Sequence, residues 1–300
     1  MGLNLLITGG SGLMGSNMAR LVASQFSVYA AYCSHPVQIP GVRTMYLNIK
    51  DRQGTLFAIN KIKPELIIHA AALANVDYCE QHPPEAWAIN VEGTYNVALA
   101  ANSVEAKLIY ISTDSVFDGE RGMYAETDTP HPINTYAKTK LEGEARVQNL
   151  APDSLIIRTS FYGWSVRDER SLAEQIVRDL RAGKSRQGFA DIFFSPVYID
   201  NLVEVLIEMY HINMAGIYNV AGSGRCSKYH FGKEIAAEFG LDGSLMQPGS
   251  ITEADLIAPR PRDLSLDVSK VSREITTPLQ GVREGIKRFK EAEAGAKSSR

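Results

Sequence analysis

The amino-acid sequence predicts an α/β fold in which a doubly wound parallel sheet is followed by a smaller C-terminal α/β lobe. Short apolar runs alternate with helical patterns through the first half of the chain, and this alternation is typical of βαβ units. The runs are almost continuously apolar, as is usual for strands that helices cover on both faces. The first run leads straight into a glycine-rich turn, and the alternation becomes less regular after about residue 160.

Five apolar runs are predicted to form strands, and they are LNLLIT (3–8), VYAAYC (28–33), ELIIHA (65–70), KLIYIS (107–112) and SLIIRT (154–159). Helices are predicted between them, at about 12–24, 51–60, 83–103 and 134–149. The last of these follows Pro132, and either Asn134 or Thr135 can serve as its N-cap.

Residues 161–290 are predicted to form the smaller lobe, after a first domain that covers residues 1–160. Helices are expected near 171–182, 200–210 and 227–239, with DIFFSPVYI and IYNVAG as strand-like segments between them. Some segments of this lobe are expected to return to the first domain. The polar tail, 291–300, is expected to fray.

Composition limits the classes of function. With 300 residues and 45% hydrophobic content, the chain can bury a large core. A net charge of −3 supplies no general field for nucleic acid. The cysteines form no C-x-x-C pair and no cluster with histidine, so neither a disulfide framework nor a metal site is expected. No apolar run approaches the ~18 residues of a membrane span, and the N-terminus lacks a basic region. We therefore expect a soluble cytoplasmic protein.

The glycine-rich turn GGSGLMG is predicted to bind the phosphates of a dinucleotide. Its members Gly9, Gly12, Leu13, Met14 and Gly15 lie between the first predicted strand and the first predicted helix. Small residues permit close approach of a pyrophosphate, and the free N–H groups of the helix start supply hydrogen-bond donors. This strand–turn–helix context predicts a Rossmann-type domain.

The end of the second predicted strand bears on the choice of cofactor. An NAD-preferring protein places an acidic residue there to accept from the ribose 2′-hydroxyl, whereas this chain has Cys33, Ser34 and His35. Ser34 can donate to a 2′-phosphate, and His35 can add positive charge. We expect NADPH as the cofactor, with NADH as the alternative.

Several motifs together resemble the extended short-chain dehydrogenase/reductase superfamily. They are the three glycines of the turn, the strand end IIHAAA, and YISTDSVFDG followed by Tyr136 and Lys140. Within that superfamily, ISTDSVFDG, AALANVDYCE, NVEGTYNVALA and RPRDLSLD are most similar to the dTDP-4-dehydrorhamnose reductase family. The regulatory beta subunit of methionine adenosyltransferase shares the fold and much of this pattern.

The resemblance implies a catalytic set of Thr113, Tyr136 and Lys140. Tyr136 would protonate the carbonyl oxygen and Thr113 would hold it. Lys140, one helical turn after Tyr136, would lower the pKa of the phenol and bind the nicotinamide ribose. The small residues that the resemblance places along the cofactor are Ala70, Ala71 and Ala72. Asn90 falls on a helix position that often carries asparagine in this superfamily.

Each candidate substrate-binding residue has two possible roles, one in binding substrate and one that is only structural. Asp114 and Ser115 follow Thr113, and an aspartate there either orients substrate or satisfies N–H groups of a turn. Trp164, with the neighbouring aromatic residues, is expected either to stack on a nucleobase or to pack in the core. Arg260 either binds a diphosphate or is only solvated, and Arg262 has the same two alternatives.

The resemblance implies NADPH-dependent reduction of the 4-keto group of a nucleotide-linked 6-deoxysugar, with dTDP-4-dehydrorhamnose as the expected substrate. The related 4,6-dehydratases carry an Asp-Glu pair where this chain has Asp114 and Ser115, so dehydration has no obvious base. The alternatives are a non-catalytic, NADP-binding regulatory subunit and a nucleotide-sugar epimerase. A homodimer is compatible with the resemblance.

Overall fold

The structure is a computed structural model and describes residues 2–166 and 171–298. Numbered in chain order, its strands are β1 (Asn4–Thr8), β2 (Ser27–Tyr32), β3 (Arg43–Tyr46), β4 (Leu66–His69), β5 (Lys107–Ile111), β6 (Leu155–Arg158), β7 (Phe161–Tyr162), β8 (Arg186–Phe189), β9 (Phe193–Phe194), β10 (Val197–Tyr198), β11 (Gly216–Asn219), β12 (Cys226–Ser227) and β13 (Met246–Gly249). Its α-helices are α1 (Leu13–Val22), α2 (Arg52–Ile62), α3 (Val76–Gln81), α4 (Pro83–Trp87), α5 (Gly93–Ser103), α6 (Thr135–Leu150), α7 (Leu172–Arg181), α8 (Ile199–His211), α9 (Lys228–Phe239), α10 (Ser269–Ser272), α11 (Val282–Glu291) and α12 (Glu293–Ser298).

A seven-stranded parallel sheet forms the centre of the molecule, in the order β11-β6-β5-β4-β1-β2-β3. The chain builds outward from β1 first through β2 and β3 and then in the other direction through β4 and β5. The carboxyl ends of β1 and β4 lie beside the point where the strand order reverses, which is where open α/β sheets bind ligands. This architecture confirms the predicted doubly wound parallel sheet.

The continuous apolarity of the strands follows from burial on both faces. On β1, Leu5 and Ile7 belong to one buried cluster and Leu6 to a second cluster on the opposite face, all with no exposed surface. Successive side chains of a strand point to opposite faces, so an apolar residue is needed at every position. Helices α1 and α8 contribute to the first cluster, and α2, α5 and α6 to the second.

The helix predicted over 83–103 is interrupted. Helix α4 ends at Trp87, the residues Ala88–Glu92 form a π-helical turn, and α5 begins at Gly93. Asn90 lies in this turn, and its side chain hydrogen-bonds the backbone of Leu73 in both directions, at 2.8 Å and 3.1 Å. The Asn90 side chain thus takes the place of a backbone hydrogen-bond partner for the loop after β4. Short π-helical turns within α-helices frequently occur at functional sites.

Two further differences concern elements that sequence periodicity did not predict. Strand β3 (Arg43–Tyr46) lies at the edge of the sheet and has no fully buried residue, so it lacks the apolar signature of the central strands. Part of the tail predicted to fray forms α12 instead, and its first residue, Glu293, pairs with Arg181 of α7 at 2.8 Å.

Segments after residue 160 form three two-stranded pairs, β7 with β10, β8 with β13 and β9 with β12. β11 leaves this group and pairs in parallel with β6 of the large sheet. The domain boundary at residue 160 stays a prediction. Among the described residues, no helix is long and apolar enough to cross a membrane.

Gly143 on α6 provides a test of how closely this helix must approach β5. A methyl group at this position would lie 2.3 Å from the hydroxyl oxygen of buried Tyr110 and 3.0 Å from the carbonyl oxygen of Asn90. Alanine normally gains ~0.5–1 kcal/mol over glycine within a helix, but overpacking costs ~1–3 kcal/mol. We expect Gly143→Ala to lower the free energy of unfolding by about 1–2 kcal/mol in urea denaturation.

The matched control is Gly224→Ala, because a methyl group at Gly224 would meet no atom within 4 Å. Its free energy of unfolding should change by less than ~0.5 kcal/mol. Equal stability of the two variants would contradict the close packing of α6 on β5.

Candidate active site

The glycine-rich loop between β1 and α1 is closely packed on its own backbone and on the loop after β4. Gly9 has a positive φ of 72°, and a Cβ there would lie 2.7 Å from the backbone nitrogen of Ala71. A Cβ at Gly15 would lie 2.3 Å from the carbonyl oxygen of Gly9. The N-cap of α1 is Gly12, so no side chain covers the first turn of this helix. The backbone N–H groups are therefore available to an anion.

The other residues predicted along the cofactor have different environments. Met14 is 4% exposed and its side chain is part of the core, so only its backbone can face a ligand. Ala72 is only partly buried in the loop after β4. Ser34 and His35 are exposed just after β2, and Ser34 Oγ lies 2.8 Å from His35 Nδ1.

A buried hydrogen-bond chain links the strands beneath this loop. His69 Nδ1 lies 2.6 Å from Thr8 Oγ1, and His69 Nε2 lies 2.9 Å from Thr94 Oγ1. Because the Thr94 hydroxyl donates to the carbonyl of Asn90 at 2.7 Å, it accepts from Nε2–H, and Nδ1 accepts from Thr8. Burial, together with the charge of Lys140, lowers the pKa of His69 to about 3. A neutral ring thus satisfies both partners.

Thr113 and Tyr136 are brought together at the carboxyl end of β5. Thr113 caps the 3-10 turn Asp114–Val116 by accepting from Ser115 N at 3.1 Å. Tyr136 lies in the first turn of α6, close enough to Thr113 for the Thr113 hydroxyl to lower the pKa of the phenol. Asn134, and not Thr135, is the N-cap of α6, since its side chain accepts from Ala137 N at 2.9 Å. Two hydroxyls that can bind one oxygen atom therefore lie side by side.

The ammonium of Lys140 lies at the end of β5. It donates to the carbonyl of Ile111 at 2.8 Å and lies 4.0 Å from the centroid of the Tyr110 ring. Burial lowers the pKa of Lys140 to about 7, and Glu144 partly offsets that shift. Burial raises the pKa of Tyr136 well above its usual value, partly opposed by Thr113. The expected lowering of the Tyr136 pKa by Lys140 stays a prediction.

A buried ion pair that the sequence did not indicate holds α6 on the sheet. Glu144 accepts from Arg158 Nη2 at 2.7 Å and Nε at 3.1 Å, and from Ser112 Oγ at 2.5 Å. Glu144 and Arg158 are 1% and 2% exposed. Glu144 lies one turn after Lys140, so the same pair also sets the electrostatic environment of the lysine.

Asp114 satisfies its own turn, and the charge of a lysine from the C-terminal lobe acts on its pKa. Its Oδ1 accepts from the hydroxyls of Thr113 at 3.1 Å and Ser115 at 3.2 Å, which supports the turn alternative. Burial raises its pKa to about 6, opposed by these bonds and by the charge of Lys228. Lys228, the first residue of α9, was not predicted as a site residue, since nothing in its local sequence indicates which strand it would face.

Arg260 forms an ion pair with a carboxylate of the first half of the chain. Its Nη2 lies 2.9 Å from Asp77 Oδ2, and its Nη1 donates to the carbonyl of Ala258 at 2.9 Å. It also lines a cleft of about 480 Å³ whose wall includes Arg225 and Arg262. A diphosphate role for Arg260 stays a prediction.

Trp164 has the contacts of a packing residue. Its ring stacks on Phe289 with 4.2 Å between centroids, it meets Phe239 edge-on, and its indole N–H donates to the Phe289 carbonyl at 2.6 Å. Its neighbour Tyr162 is 3% exposed and is also part of the core. These contacts support the core alternative over nucleobase stacking.

Three comparisons place the chain among known proteins. Residues 3–294 match the model of a family described as the RmlD substrate binding domain. The probable low-salt glycan biosynthesis reductase Agl14 of Haloferax volcanii is 31% identical over 274 residues, which cover 90% of this chain and 91% of that protein. The methionine adenosyltransferase 2 subunit beta of Xenopus tropicalis is 32% identical over 300 residues, covering 95% and 87%. A crystal structure of dTDP-4-dehydrorhamnose reductase from Bacillus anthracis in complex with NADP has a TM-score of 0.87 and 29% identity, covering 97% and 99% of the two chains.

Replacing Glu144 should expose the dependence of α6 on its buried ion pair. Glu144→Gln leaves the Arg158 cation buried without a counter-charge, and breaking such a pair costs ~3–5 kcal/mol. We expect a loss of this size in the free energy of unfolding, measured by guanidinium denaturation. The control is Glu142→Gln on the same helix, whose partner Arg146 lies 3.0 Å away and in which both side chains are over one-third exposed. Its cost should stay below ~1 kcal/mol, and similar losses in the two variants would refute a special role for Glu144.

Because the pKa of His69 is lowered in the folded protein, we expect the stability to depend on pH. Between its ordinary pKa of 6.5 and about 3, the unfolded chain binds a proton on this ring that the folded protein does not. The free energy of unfolding should therefore fall with falling pH, by ~1.4 kcal/mol per pH unit from this group. His69→Gln should reduce the measured slope below pH 6.5 by that amount, whereas His35→Gln at an exposed site should keep it. An unchanged slope in His69→Gln would mean that the buried ring is not the source.

Proposed function

The chain belongs to the RmlD substrate-binding-domain family, and we propose that it is an NADPH-dependent reductase of the 4-keto group of a nucleotide-linked 6-deoxysugar. The substrate proposed is dTDP-4-dehydrorhamnose. Family membership confirms the resemblance that the sequence motifs indicated. The similarity to a reductase of Haloferax volcanii and to a dTDP-4-dehydrorhamnose reductase solved with NADP supports the activity.

The observation that carries the proposal is the placement of the Tyr136 phenol beside the Thr113 hydroxyl at the carboxyl edge of the sheet. Both hydroxyls lie on elements that flank the end of β5, near the point where the strand order reverses. A carbonyl oxygen placed between them would meet two donors once the Thr113 hydroxyl turns from Asp114 Oδ1, to which it donates at 3.1 Å. Reduction develops negative charge on this oxygen, so preorganised donors stabilise its transition state.

The glycine loop fits a dinucleotide. Side chains at Gly9 and Gly15 would collide with backbone, and the uncapped start of α1 offers donors to a pyrophosphate. Ser34 and His35 follow β2, where no carboxylate would repel a 2′-phosphate, which favours NADPH over NADH. Bound NADPH would supply the hydride.

Tyr136 would act as the general acid. Burial keeps its pKa above the ordinary value, so the phenol holds its proton at neutral pH and can donate it to the developing alkoxide. Thr113 would position the same oxygen. Lys140 would bind the nicotinamide ribose. Its pKa of about 7 would allow it to exchange a proton at physiological pH.

A second candidate is a regulatory subunit that binds the dinucleotide without turnover. The observation that favours it is the match to methionine adenosyltransferase 2 subunit beta over 95% of this chain. The presence of Thr113, Tyr136 and Lys140 favours the reductase.

NADPH oxidation with dTDP-4-dehydrorhamnose, followed by nicotinamide absorbance, tests the proposal. The parent protein should consume NADPH, and Tyr136→Phe should lower kcat by ~10²–10⁴-fold because the proton donor is removed. Tyr46→Phe, at a residue 62% exposed on the edge strand, should leave kcat unchanged.

Fluorescence titration of NADPH separates the two candidates. Binding of NADPH by the parent protein without any consumption would refute the reductase and support the regulatory subunit. Gly15→Ala should weaken binding in both cases, since its methyl group would displace the loop.

A further inference from the structure

A chain of buried hydrogen bonds joins the loop after β4 to the peptide group of Tyr136. Asn90 and Thr139 are its two middle members, and they are 1% and 2% exposed. The Asn90 amide donates to Thr139 Oγ1 at 2.9 Å, and the Thr139 hydroxyl donates to the carbonyl of Tyr136 at 2.8 Å. At the other end, the Asn90 side chain bonds both backbone groups of Leu73.

The direction of each hydrogen bond in this chain follows from its partners. A backbone N–H can only donate, so the bond from Leu73 N at 2.8 Å requires Asn90 Oδ1 as its acceptor. Nδ2 then has two N–H groups, one for the carbonyl of Leu73 at 3.1 Å and one for Thr139. Because Thr139 Oγ1 accepts that bond, its own hydrogen goes to the Tyr136 carbonyl, which can only accept. No member can turn without losing a bond.

The stability of α6 does not explain the hydroxyl at position 139. Inside a helix, the carbonyl of each residue accepts from the N–H four positions later, so the N–H of Lys140 already satisfies the carbonyl of Tyr136. A threonine hydroxyl that bonds back to its own helix slightly destabilises the helix and often bends it. The second donor on the Tyr136 carbonyl therefore acts on where the first turn of α6 lies.

The two ends of the chain lie in the two parts of the candidate site. Leu73 belongs to the loop after β4, which packs so closely on the glycine-rich turn that a Cβ at Gly9 would lie 2.7 Å from Ala71 N. Tyr136 carries the phenol proposed as the general acid. A change in the position of the loop would thus be transmitted to the residue that donates the proton.

We propose that Thr139 is a positioning residue that couples occupation of the dinucleotide site to the placement of the Tyr136 phenol. This inference rests on the proposed function. When the loop after β4 is fixed by a bound dinucleotide, Asn90 is fixed with it, and Thr139 holds the first turn of α6 in register with both. Because Thr139 is buried, it acts through Tyr136 and not by contact with a ligand.

Steady-state kinetics with NADPH and dTDP-4-dehydrorhamnose test this role in Thr139→Val, which keeps the shape of the side chain and removes the hydroxyl. Misplacement of a reacting group by ~1 Å can cost ~100-fold in rate. We expect kcat to fall by about 10–100-fold, with the KM for the ketone changed by less than about 3-fold. Thr139→Ser keeps the hydroxyl and should return kcat to within about 3-fold of the parent value. Lower stability of Thr139→Val with an unchanged kcat would assign the hydroxyl to packing alone and overturn the inference.

The matched control is Thr55→Val on α2. Thr55 is also fully buried in a helix, and its hydroxyl has no hydrogen-bond partner within residues 2–166 and 171–298. The substitution makes the same change of shape, so it should leave kcat and the response to NADPH unchanged. An equal fall of kcat in the two valine variants would be a general effect of the substitution and would overturn the inference.

Amide hydrogen exchange gives a readout that does not require turnover. NADPH should slow exchange in residues 135–140 and in the loop after β4 of the parent, of Thr139→Ser and of Thr55→Val. In Thr139→Val the slowing should be confined to the loop, because its connection to α6 is lost. Equal slowing of residues 135–140 in the parent and in Thr139→Val, or none in the parent, would overturn the inference.

The two readouts separate this inference from the proposed function. Binding of NADPH without its consumption by the parent would refute the proposed function only, and hydrogen exchange would still decide the role of Thr139. Failure of the parent to bind NADPH would overturn both. If Thr139→Val does not fold, Thr139→Ala removes the same hydroxyl without a branched side chain, and the same outcomes apply to it.

Discussion

The docking of α6 on β5 through buried polar contacts determines the candidate site. Glu144 accepts hydrogen bonds from Arg158 and Ser112, and Lys140 donates to the carbonyl of Ile111. A buried ion pair is tolerated only when its hydrogen bonds are nearly all made, so these contacts permit little rotation or sliding of the helix. That fixed rotation keeps the Tyr136 hydroxyl against the end of β5.

The same requirement for close approach applies at the start of the chain. The loop after β1 passes so near the loop after β4 that Gly9 admits no side chain, and the ring of His69 ties Thr8 to Thr94 beneath it. The absence of a side chain at Gly9 lets the two loops approach each other, and the neutral His69 ring, bonded at both nitrogens, holds the strands beneath them rigid. The glycine loop after β1 and the hydroxyl pair at the end of β5 therefore rest on one sheet, with only β4 between their two strands.

Segments distant in the chain provide the outer wall. Asn134, the cap of α6, donates to the carbonyl of Pro259 at 3.1 Å, and Asp77 of α3 accepts from the backbone of Ala258 at 3.0 Å. Asp263 N donates to the carbonyl of Gly119 at 3.0 Å. These bonds hold the C-terminal arginine-rich segment beside α6. The electrostatics of a bound ligand would thus be set by both halves of the chain.

The sequence by itself determined the elements whose signals are local. Buried strands need apolar residues at every position, and a phosphate loop needs glycine, so the central strands and the loop could be predicted directly, whereas the cap of α6 was narrowed to Asn134 or Thr135. Only the tertiary structure decided which side chains meet. The Lys140 ammonium donates to the carbonyl of Ile111, Trp164 packs on Phe289 and Arg260 pairs with Asp77. Most of these partners are more than 100 residues apart. The hydrophobic pattern of a segment indicates which of its faces is buried, but it does not indicate which other segment packs on that face.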